Sequence, residues 1–239
     1  MNLLLDAIAW LLAPERLTGA HPLPAALVVH LGYTFGAVAL AALVGIPAGW
    51  AIGHTGRGRE IAVGISGAAR AIPSFGLILL LVLLMGVTQK PAAAITAFVL
   101  LAIPPLLAGA YAGLEAIDRR IIDAARAQGM SEWQILWRVE VPLGLPLLVA
   151  GLRSAVLQVV ATVTLAAYVS LGGLGYDIIQ GIALRRFDQV LGGAIAVAVL
   201  ALVLDGVFAL LQRAATPRHL RSAARPEGAR GGRREVRSA

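Results

Sequence analysis

The stretch DAARAQGMSEWQILWRVEVP, from Asp123 to Pro142, decides how this chain is organised. It is a charged, helix-compatible segment that lies between two long apolar segments. Gly129 supplies the left-handed position that ends a helix. Ser131 can cap a new helix at once, with Gln134 three residues later as its partner in a capping box. The stretch therefore predicts two short helices joined by a tight turn, exposed between membrane spans where they are free to contact a partner.

Composition places the rest of the chain in a lipid bilayer. Of its 239 residues, 59% are hydrophobic and 14% are charged, and the mean hydropathy is +0.82. These values exclude an ordinary soluble domain. A transmembrane helix needs about 20 apolar residues, and the segments that qualify are 25–53, 61–88, 92–113, 143–170 and 189–211. The predicted fold is an all-α integral membrane protein with about five transmembrane helices.

The distribution of basic residues predicts the orientation. Arginines cluster after the first, third and fifth apolar segments: Arg57, Arg59, Arg119, Arg120, Arg126, Arg138, Arg213, Arg218, Arg221 and Arg225. With five spans these three regions lie on one side, and short loops rich in Arg and Lys stay in the cytoplasm. We therefore expect the N-terminus outside and the C-terminus in the cytoplasm.

The two ends of the chain differ from its centre. Residues 1–20 are apolar but lack a basic flank and are interrupted by Pro14, so they predict an interfacial segment rather than a secretory signal or a full span. Residues 21–212 form the predicted transmembrane domain. Residues 213–239 are rich in Arg, Gly and Ala and predict a disordered tail, attracted to anionic lipid headgroups rather than to nucleic acid.

Several small residues and prolines fall inside the apolar segments. Three glycine pairs are spaced four apart, as in close helix contacts: Gly32 with Gly36, Gly45 with Gly49, and Gly109 with Gly113. Prolines remove backbone hydrogen bonds and predict kinks or local openings: Pro47, Pro73, Pro104 and Pro105. Such openings are compatible with a transport pathway and equally with bent helices.

Polar side chains within the spans are the candidates for a pathway or for structural bonds. Arg153 and Asp205 lie in the cytoplasmic halves of the fourth and fifth spans, and we expect them to form an ion pair that fixes helix register. Gln158 and Thr162 are four apart on the fourth span, with Ser74 expected to face them from the second. They predict a polar path, or else ordinary hydrogen bonds between helices.

Other kinds of function have little support in the sequence. There is no cysteine, and no Gly-x-x-x-x-Gly-Lys-Ser/Thr loop that would bind a nucleotide; Lys90 is the single lysine. No His-Glu-x-x-His metal motif occurs, and His30 is a lone intramembrane histidine, more typical of packing than of catalysis. A secondary transporter that uses Asp205 as its coupling acid would explain the hydrophobicity but leaves the spacing of the 123–142 stretch unexplained.

Trp133, Leu136 and Trp137 form one apolar face of the second short helix. Tryptophan is common in the headgroup layer of membranes, so this face could lie there. Aromatic anchors are also common at the centres of protein contacts, so the same face could insert into a partner.

The spacing of the stretch resembles the EAA loop of permease subunits of binding-protein-dependent ABC transporters. That family's pattern is Glu-Ala-Ala, three residues, Gly, nine residues, Ile, one residue, Leu-Pro. Here Asp123 stands for the Glu, Val139 for the Ile and Val141 for the Leu, while Gly129 and Pro142 match in register.

The resemblance implies a type I importer fold in a bacterial inner membrane, with a coupling helix that docks on a cytoplasmic ATPase. The positions assigned to this contact are Asp123, Ala124, Ala125, Gly129, Ser131, Trp133, Leu136, Trp137, Val139 and Pro142. It also implies that the ATPase dimer binds ATP and magnesium, that this chain binds neither cofactor nor metal, and that a solute-binding protein delivers the solute. Because five spans are too few to enclose a path, a second permease copy or paralogue is expected.

Two further segments, Arg70-Ala71-Ile72-Pro73-Ser74 and Gly172-Gly173-Leu174-Gly175, look like the osmoprotectant branch of this family. That branch moves glycine betaine, choline, carnitine or proline betaine. Both segments also resemble methionine and polar amino acid permeases, so the alternatives are an amino acid permease or an ion-coupled transporter.

Overall fold

The computed structural model describes residues 2–216, except for the side chains of Ile61, Ile65, Ser66, Ala68, Ala69 and Arg70, and within that range it contains helices and no strand. The helices are α1 Leu3–Leu12, α2 Glu15–Thr18, α3 Leu23–Thr55, α4 Arg59–Ala71, α5 Ser74–Met85, α6 Lys90–Glu115, α7 Arg119–Ala127, α8 Glu132–Ile135, α9 Val141–Val163, α10 Gly175–Ala183 and α11 Phe187–Ala215. The predicted all-α fold is confirmed. The predicted disorder and lipid binding of the basic tail concern residues that lie almost wholly beyond 216, outside the described range.

Within residues 2–216, four continuous helices are long and apolar enough to cross a membrane: Leu23–Thr55, Val87–Glu115, Glu132–Val169 and Phe187–Ala215. The second predicted span, 61–88, is instead two helices, α4 with 13 residues and α5 with 12. They are separated at Ile72, which adopts an extended conformation with ψ 120°. A residue before proline is sterically driven out of the helical region, so Pro73 explains the break.

Together α4 and α5 run alongside α6 over its length. At one end, Arg59 at the start of α4 lies 3.4 Å from Glu115 at the end of α6. At the other end, a short 3-10 turn, Val87–Gln89, joins α5 to the start of α6. The pair therefore covers the same distance as one long helix, although its backbone is interrupted midway.

Glycines bring α3, α6 and α9 into close contact. A Cβ at Gly49 of α3 would lie 2.6 Å from the Leu107 carbonyl oxygen of α6, and one at Gly109 of α6 would lie 2.7 Å from the Gly151 Cα of α9. Backbones this close leave no room for a side chain. The third predicted pair differs, because a Cβ at Gly32 or Gly36 would meet nothing within 4 Å. Only two of the three predicted glycine pairs serve packing within the chain.

His30 is fully buried and joins α3 to the segment around the end of α9. Its Nε2 lies 3.0 Å from the Val160 carbonyl oxygen, and the Leu174 backbone N–H lies 3.4 Å from its Nδ1. A ring that donates from Nε2 and accepts at Nδ1 satisfies both contacts. His30 is thus a packed structural residue.

The N-terminal helices lie against the ends of α10 and α11 that are near residues 175–193. The Trp10 ring occupies the space over Gly192 of α11, where a Cβ would come within 2.4 Å of the ring. Arg16 pairs with the buried carboxylate of Asp177 and stacks 4.1 Å from the centroid of the Trp10 ring. Burial raises the pKa of Asp177, although Arg16 opposes this shift. The segment is therefore held to the rest of the chain by tertiary contacts, and several of its leucines are exposed.

Candidate functional site

A left-handed turn fixes the end of α7. Gly129 has φ 81°. The Gly129 N–H donates to the Arg126 carbonyl at 2.9 Å, and the Met130 N–H donates to the Ala125 carbonyl at 3.2 Å. These two bonds form a Schellman motif, which satisfies carbonyls that the helix end would leave unpaired. The turn predicted from Gly129 is therefore present, and it sets the direction in which the chain leaves α7.

The capping box predicted for the next helix is also present. The Gln134 N–H donates to the Ser131 hydroxyl at 3.3 Å, while the Ser131 N–H donates to the Gln134 side-chain oxygen at 3.0 Å. With both ends of the turn satisfied, α7 and α8 have a defined relative orientation.

The sequence-based boundary at Pro142 is wrong, because α8 does not end before the fourth span. It continues through a π-helical turn, Leu136–Glu140, directly into α9. The Val141 N–H donates to the Leu136 carbonyl, five residues back. Proline cannot donate, and in an ordinary helix its ring would clash with the carbonyl four residues back. The wider π turn accommodates Pro142, so α8 and α9 form one continuous helix.

A small apolar cluster holds α7 against this continuous helix. Its buried members are Ile117, Ile122, Ala125 and Ile135, and Met130, Val139 and Leu143 pack around them. Two of the predicted contact residues, the buried Ala125 and the half-buried Val139, thus pack in this cluster and help to position the loop.

The opposite face of the loop is exposed and aromatic. The exposed fractions are 68% for Trp133 and 44% for Trp137, and the two rings meet edge to face at 5.5 Å between centroids. Trp50 of α3 lies 5.4 Å from Trp137 in a similar arrangement. Leu136 is only half-buried. An exposed aromatic group on a short helix is well shaped to insert into a cleft of a partner.

The loop also has a shallow groove. It has a volume of about 430 Å³ and is lined by α7, the turn and the π-helical segment, with Ala124, Gln128 and Val139 among its residues. Asp123 is exposed nearby, and Arg126 contacts its carboxylate weakly, at 3.4 Å. The loop therefore presents an exposed carboxylate, a groove and two exposed tryptophans.

A chain of polar side chains ties the loop to the first long helix. Arg126 donates two hydrogen bonds to Glu132, at 2.8 and 3.1 Å, and these bonds raise the pKa of Arg126 above its usual value. His54, at the end of α3, lies 3.6 Å from Glu132 through Nε2 and 2.5 Å from Glu140 through Nδ1. Glu140 is 2% exposed. The His54 ring thus bridges a surface carboxylate and a buried one.

Sequence reasoning missed His54, Glu140, Trp50 and Ile135 as parts of this site. Ile122 and Ile135 are apolar residues in a polar stretch, a signal that would have identified them as an inward face. His54 and Trp50 lie about 80 residues earlier in the chain, and no local pattern connects them with the loop.

The three residues predicted to line a path occupy different environments. Thr162 is buried, and its hydroxyl donates to the Gln158 carbonyl within the same helix at 2.8 Å. Gln158 is exposed, and Ser74 is half-buried in the first turn of α5. Thr162 therefore belongs to the core, whereas Gln158 faces outward.

Arg153 and Asp205 are brought together as a bidentate pair between α9 and α11. The distances from Arg153 Nε and Nη2 to the two Asp205 carboxylate oxygens are 2.6 and 2.7 Å. A fork of two parallel bonds constrains the orientation of both helices. Because Asp205 is occupied in this way, it is a poor candidate for a coupling acid.

The pair predicts the behaviour of charge reversals. Arg153→Asp or Asp205→Arg alone leaves two like charges adjacent within the membrane, and we expect at least a fivefold loss of protein in the membrane fraction for each. The double reversal restores an opposite pair and is expected to recover most of the wild-type amount. Western blots of isolated membranes measure this, with the exposed substitution Leu202→Ala as the control. Normal amounts of either single variant would contradict a structural role for the pair.

The fold and this site define a transport subunit, and comparison with known proteins identifies its family. Residues 41–219 match the family described as binding-protein-dependent transport system inner membrane component. The chain belongs to this family and is a permease subunit of an inner membrane.

Characterised relatives agree with this assignment. The chain is 33% identical over 194 residues to the carnitine transport permease protein OpuCB of Listeria monocytogenes, covering 81% of this chain and 88% of that protein. It is 30% identical over 191 residues to the glycine betaine/carnitine/choline transport system permease protein OpuCB of Bacillus subtilis, covering 80% and 87%. It is 33% identical over 198 residues to the osmoprotectant import permease protein OsmW of Salmonella typhimurium, covering 80% and 91%.

The fold is also similar to that of a solved transporter. A chain of the MetNI methionine ABC transporter in an inward-facing conformation aligns with a TM-score of 0.69 and 22% identity, covering 82% of this chain and 96% of that one. At 22% identity, this similarity shows that the two chains share a fold.

Proposed function

We propose that this chain is the membrane-spanning subunit of an ATP-driven importer for small quaternary ammonium osmoprotectants, such as glycine betaine, carnitine and choline. The observation that carries the ATP-driven part is the rigid α7–α8 surface, which is built by the Gly129 turn and the Ser131 capping box and continues into α9. The relatives named above support the solute class. The methionine transporter shares the fold at lower identity, so the amino acid alternative is the weaker one.

In this proposal the exposed tryptophans and the groove receive a cytoplasmic ATPase. ATP and magnesium bind to that partner. Movement of the ATPase displaces α8 and, with it, the membrane helix that continues from α8. The continuous helix from Glu132 to Val169 supports this role, because a rigid helix moves as one body. An extracytoplasmic binding protein supplies the solute, and a second permease copy or paralogue completes the path.

The same proposal fixes the orientation and the number of crossings. We count α4 and α5 as one interrupted crossing, which gives five in total and puts the N-terminus outside and the C-terminus in the cytoplasm. The contacts support this, because the ends of α3 and α6 and the start of α4 lie together with α7 and α8, where the arginines cluster.

The coupling role is tested by purifying the tagged chain from its native membrane in mild detergent and identifying the proteins that accompany it. We expect an ATPase to accompany the wild-type chain and to be lost with Trp133→Ala/Trp137→Ala. Each tryptophan at the centre of such a contact contributes about 2 kcal/mol or more, so removing one should weaken the complex about 30-fold and removing both should weaken it further.

The matched control is Phe187→Ala, because Phe187 is an exposed aromatic residue, 63% accessible, at the opposite end of the molecule. It should leave the co-purified ATPase unchanged. A tryptophan double variant that retains the ATPase in full would refute the assignment of this surface. A wild-type chain that purifies alone and moves solute under an ion gradient without ATP would instead favour a secondary transporter.

A further inference from the structure

One face of the fourth crossing carries exposed polar and aromatic side chains. Ser154 and Gln158 are four residues apart on α9, Tyr168 follows in the 3-10 segment after it, and all three are exposed. Within the described residues, no hydrogen bond joins the Gln158 side chain to another group. An unpaired amide is costly in hydrocarbon. This face is therefore expected to border water or another protein rather than lipid.

Two interruptions of regular α-helix lie against each other at the end of this face that carries Tyr168. The first is the extended Ile72-Pro73 break between α4 and α5. The second is the 3-10 segment Thr164–Val169, which ends at Ser170 with a left-handed φ of 66°. Irregular backbone at membrane depth is tolerated where it is buried in protein or lines a cavity. In transporters, interrupted helices often form the substrate site.

An aromatic pair joins the two interruptions. The Phe75 and Tyr168 rings have centroids 4.9 Å apart and planes inclined at 56°. Their exposed fractions are 36% and 51%, so ring surface remains open on both. From Phe75, α5 continues for about 15 Å to Met85 at 1.5 Å per residue. This length is about half of a 30 Å hydrocarbon core, which puts the pair near the middle of the membrane.

The two segments that carry the pair are uncharged. Neither α5 nor the 3-10 segment contains an acidic or basic side chain. A quaternary ammonium group cannot donate a hydrogen bond, and the face of an aromatic ring attracts it without a formal charge. A neutral aromatic site therefore suits a quaternary ammonium solute, many of which carry no net charge because they also bear a carboxylate.

We propose that Phe75 and Tyr168 form a contact site for the quaternary ammonium group within the membrane, which selects the solute during translocation. The proposal rests on the proposed function. The exposed Gln158 amide, farther along the same face, offers hydrogen bonds to the polar end of the solute as it moves on.

The test measures uptake of radiolabelled glycine betaine and choline in cells that lack other osmoprotectant transporters and contain the complete complex. We expect Phe75→Leu and Tyr168→Leu each to raise the apparent KM for transport about 2- to 30-fold, the range of a cation–π contact. Tyr168→Phe retains the ring and should transport nearly as well as the wild type. Phe35→Leu removes an exposed aromatic side chain from α3, 43% accessible, and serves as the control.

Progressive fluorination of Phe75 separates cation–π binding from packing. Mono-, di- and trifluorophenylalanine, introduced by nonsense suppression, keep the ring's shape while weakening its attraction for a cation. Uptake should decline in steps along this series. Unchanged uptake in the leucine variants, or a flat fluorine series, would overturn this inference while leaving the proposed function intact. A wild-type complex that imports none of glycine betaine, choline and carnitine would overturn both.

Discussion

A Gly129→Val chain is expected to reach the membrane in normal amounts but to lose most of its solute uptake, by about tenfold or more. Gly129 has φ 81°, in the left-handed region. Forcing an L-residue into that region costs roughly 1–2 kcal/mol, and a β-branched side chain is especially unsuited to it. There is open space around a Cβ at this position, so the effect comes from backbone strain that redirects α8 rather than from a clash.

Two measurements check this prediction: uptake of labelled solute, and the number of ATP molecules hydrolysed per solute imported. Gly129→Asn is the matched control, because asparagine tolerates the left-handed region better than other residues with a Cβ. It should retain a substantial part of the uptake. If valine and asparagine behaved alike, or if both left uptake unchanged, the turn would not set the direction of the coupling helix.

Loss of His54 is expected to have the largest effect on stability. The Glu140 carboxylate is 2% exposed and has the His54 ring as its partner at 2.5 Å. Removing one member of a buried pair leaves an uncompensated polar group and costs about 3 kcal/mol or more. For His54→Ala we expect the Tm of the detergent-purified chain to fall by about 6–12 °C.

Two companion variants distinguish loss of the His54–Glu140 contact from loss of side-chain volume alone. His54→Gln retains a donor and should restore part of the Tm. Glu140→Gln, introduced into the His54→Ala background, removes the buried carboxylate and should also recover part of the loss. If His54→Ala and the double variant melted at the same temperature as the wild type, the bridge from α3 to α9 would contribute nothing to the fold.

Local signals predicted the individual elements well. Long apolar runs gave the crossings at 25–53, 92–113, 143–170 and 189–211, because a helix in a bilayer must satisfy its own backbone and bury its length in lipid. Gly129 and Ser131 gave the turn and the cap, because these depend on residues within one helical turn.

Other expectations needed partners that local patterns do not reveal. Gly32 and Gly36 have the same spacing as Gly109 and Gly113, yet only the second pair packs on another helix of the chain. Gln158 and Thr162 looked equivalent, but Thr162 bonds within its own helix and lies in the core. Spacing shows which residues share a face, and it does not show what that face meets.

The sequence by itself determined the class of the protein, the positions of its crossings and the turn that aims the α7–α8 loop, since hydropathy and backbone preference act over short distances. Tertiary structure alone brought His54 to Glu140 and Phe75 to Tyr168, across 86 and roughly 90 residues of chain. Such contacts depend on how helices pack against one another. That packing is determined jointly by side chains along the whole length of several helices, so no single segment contains it.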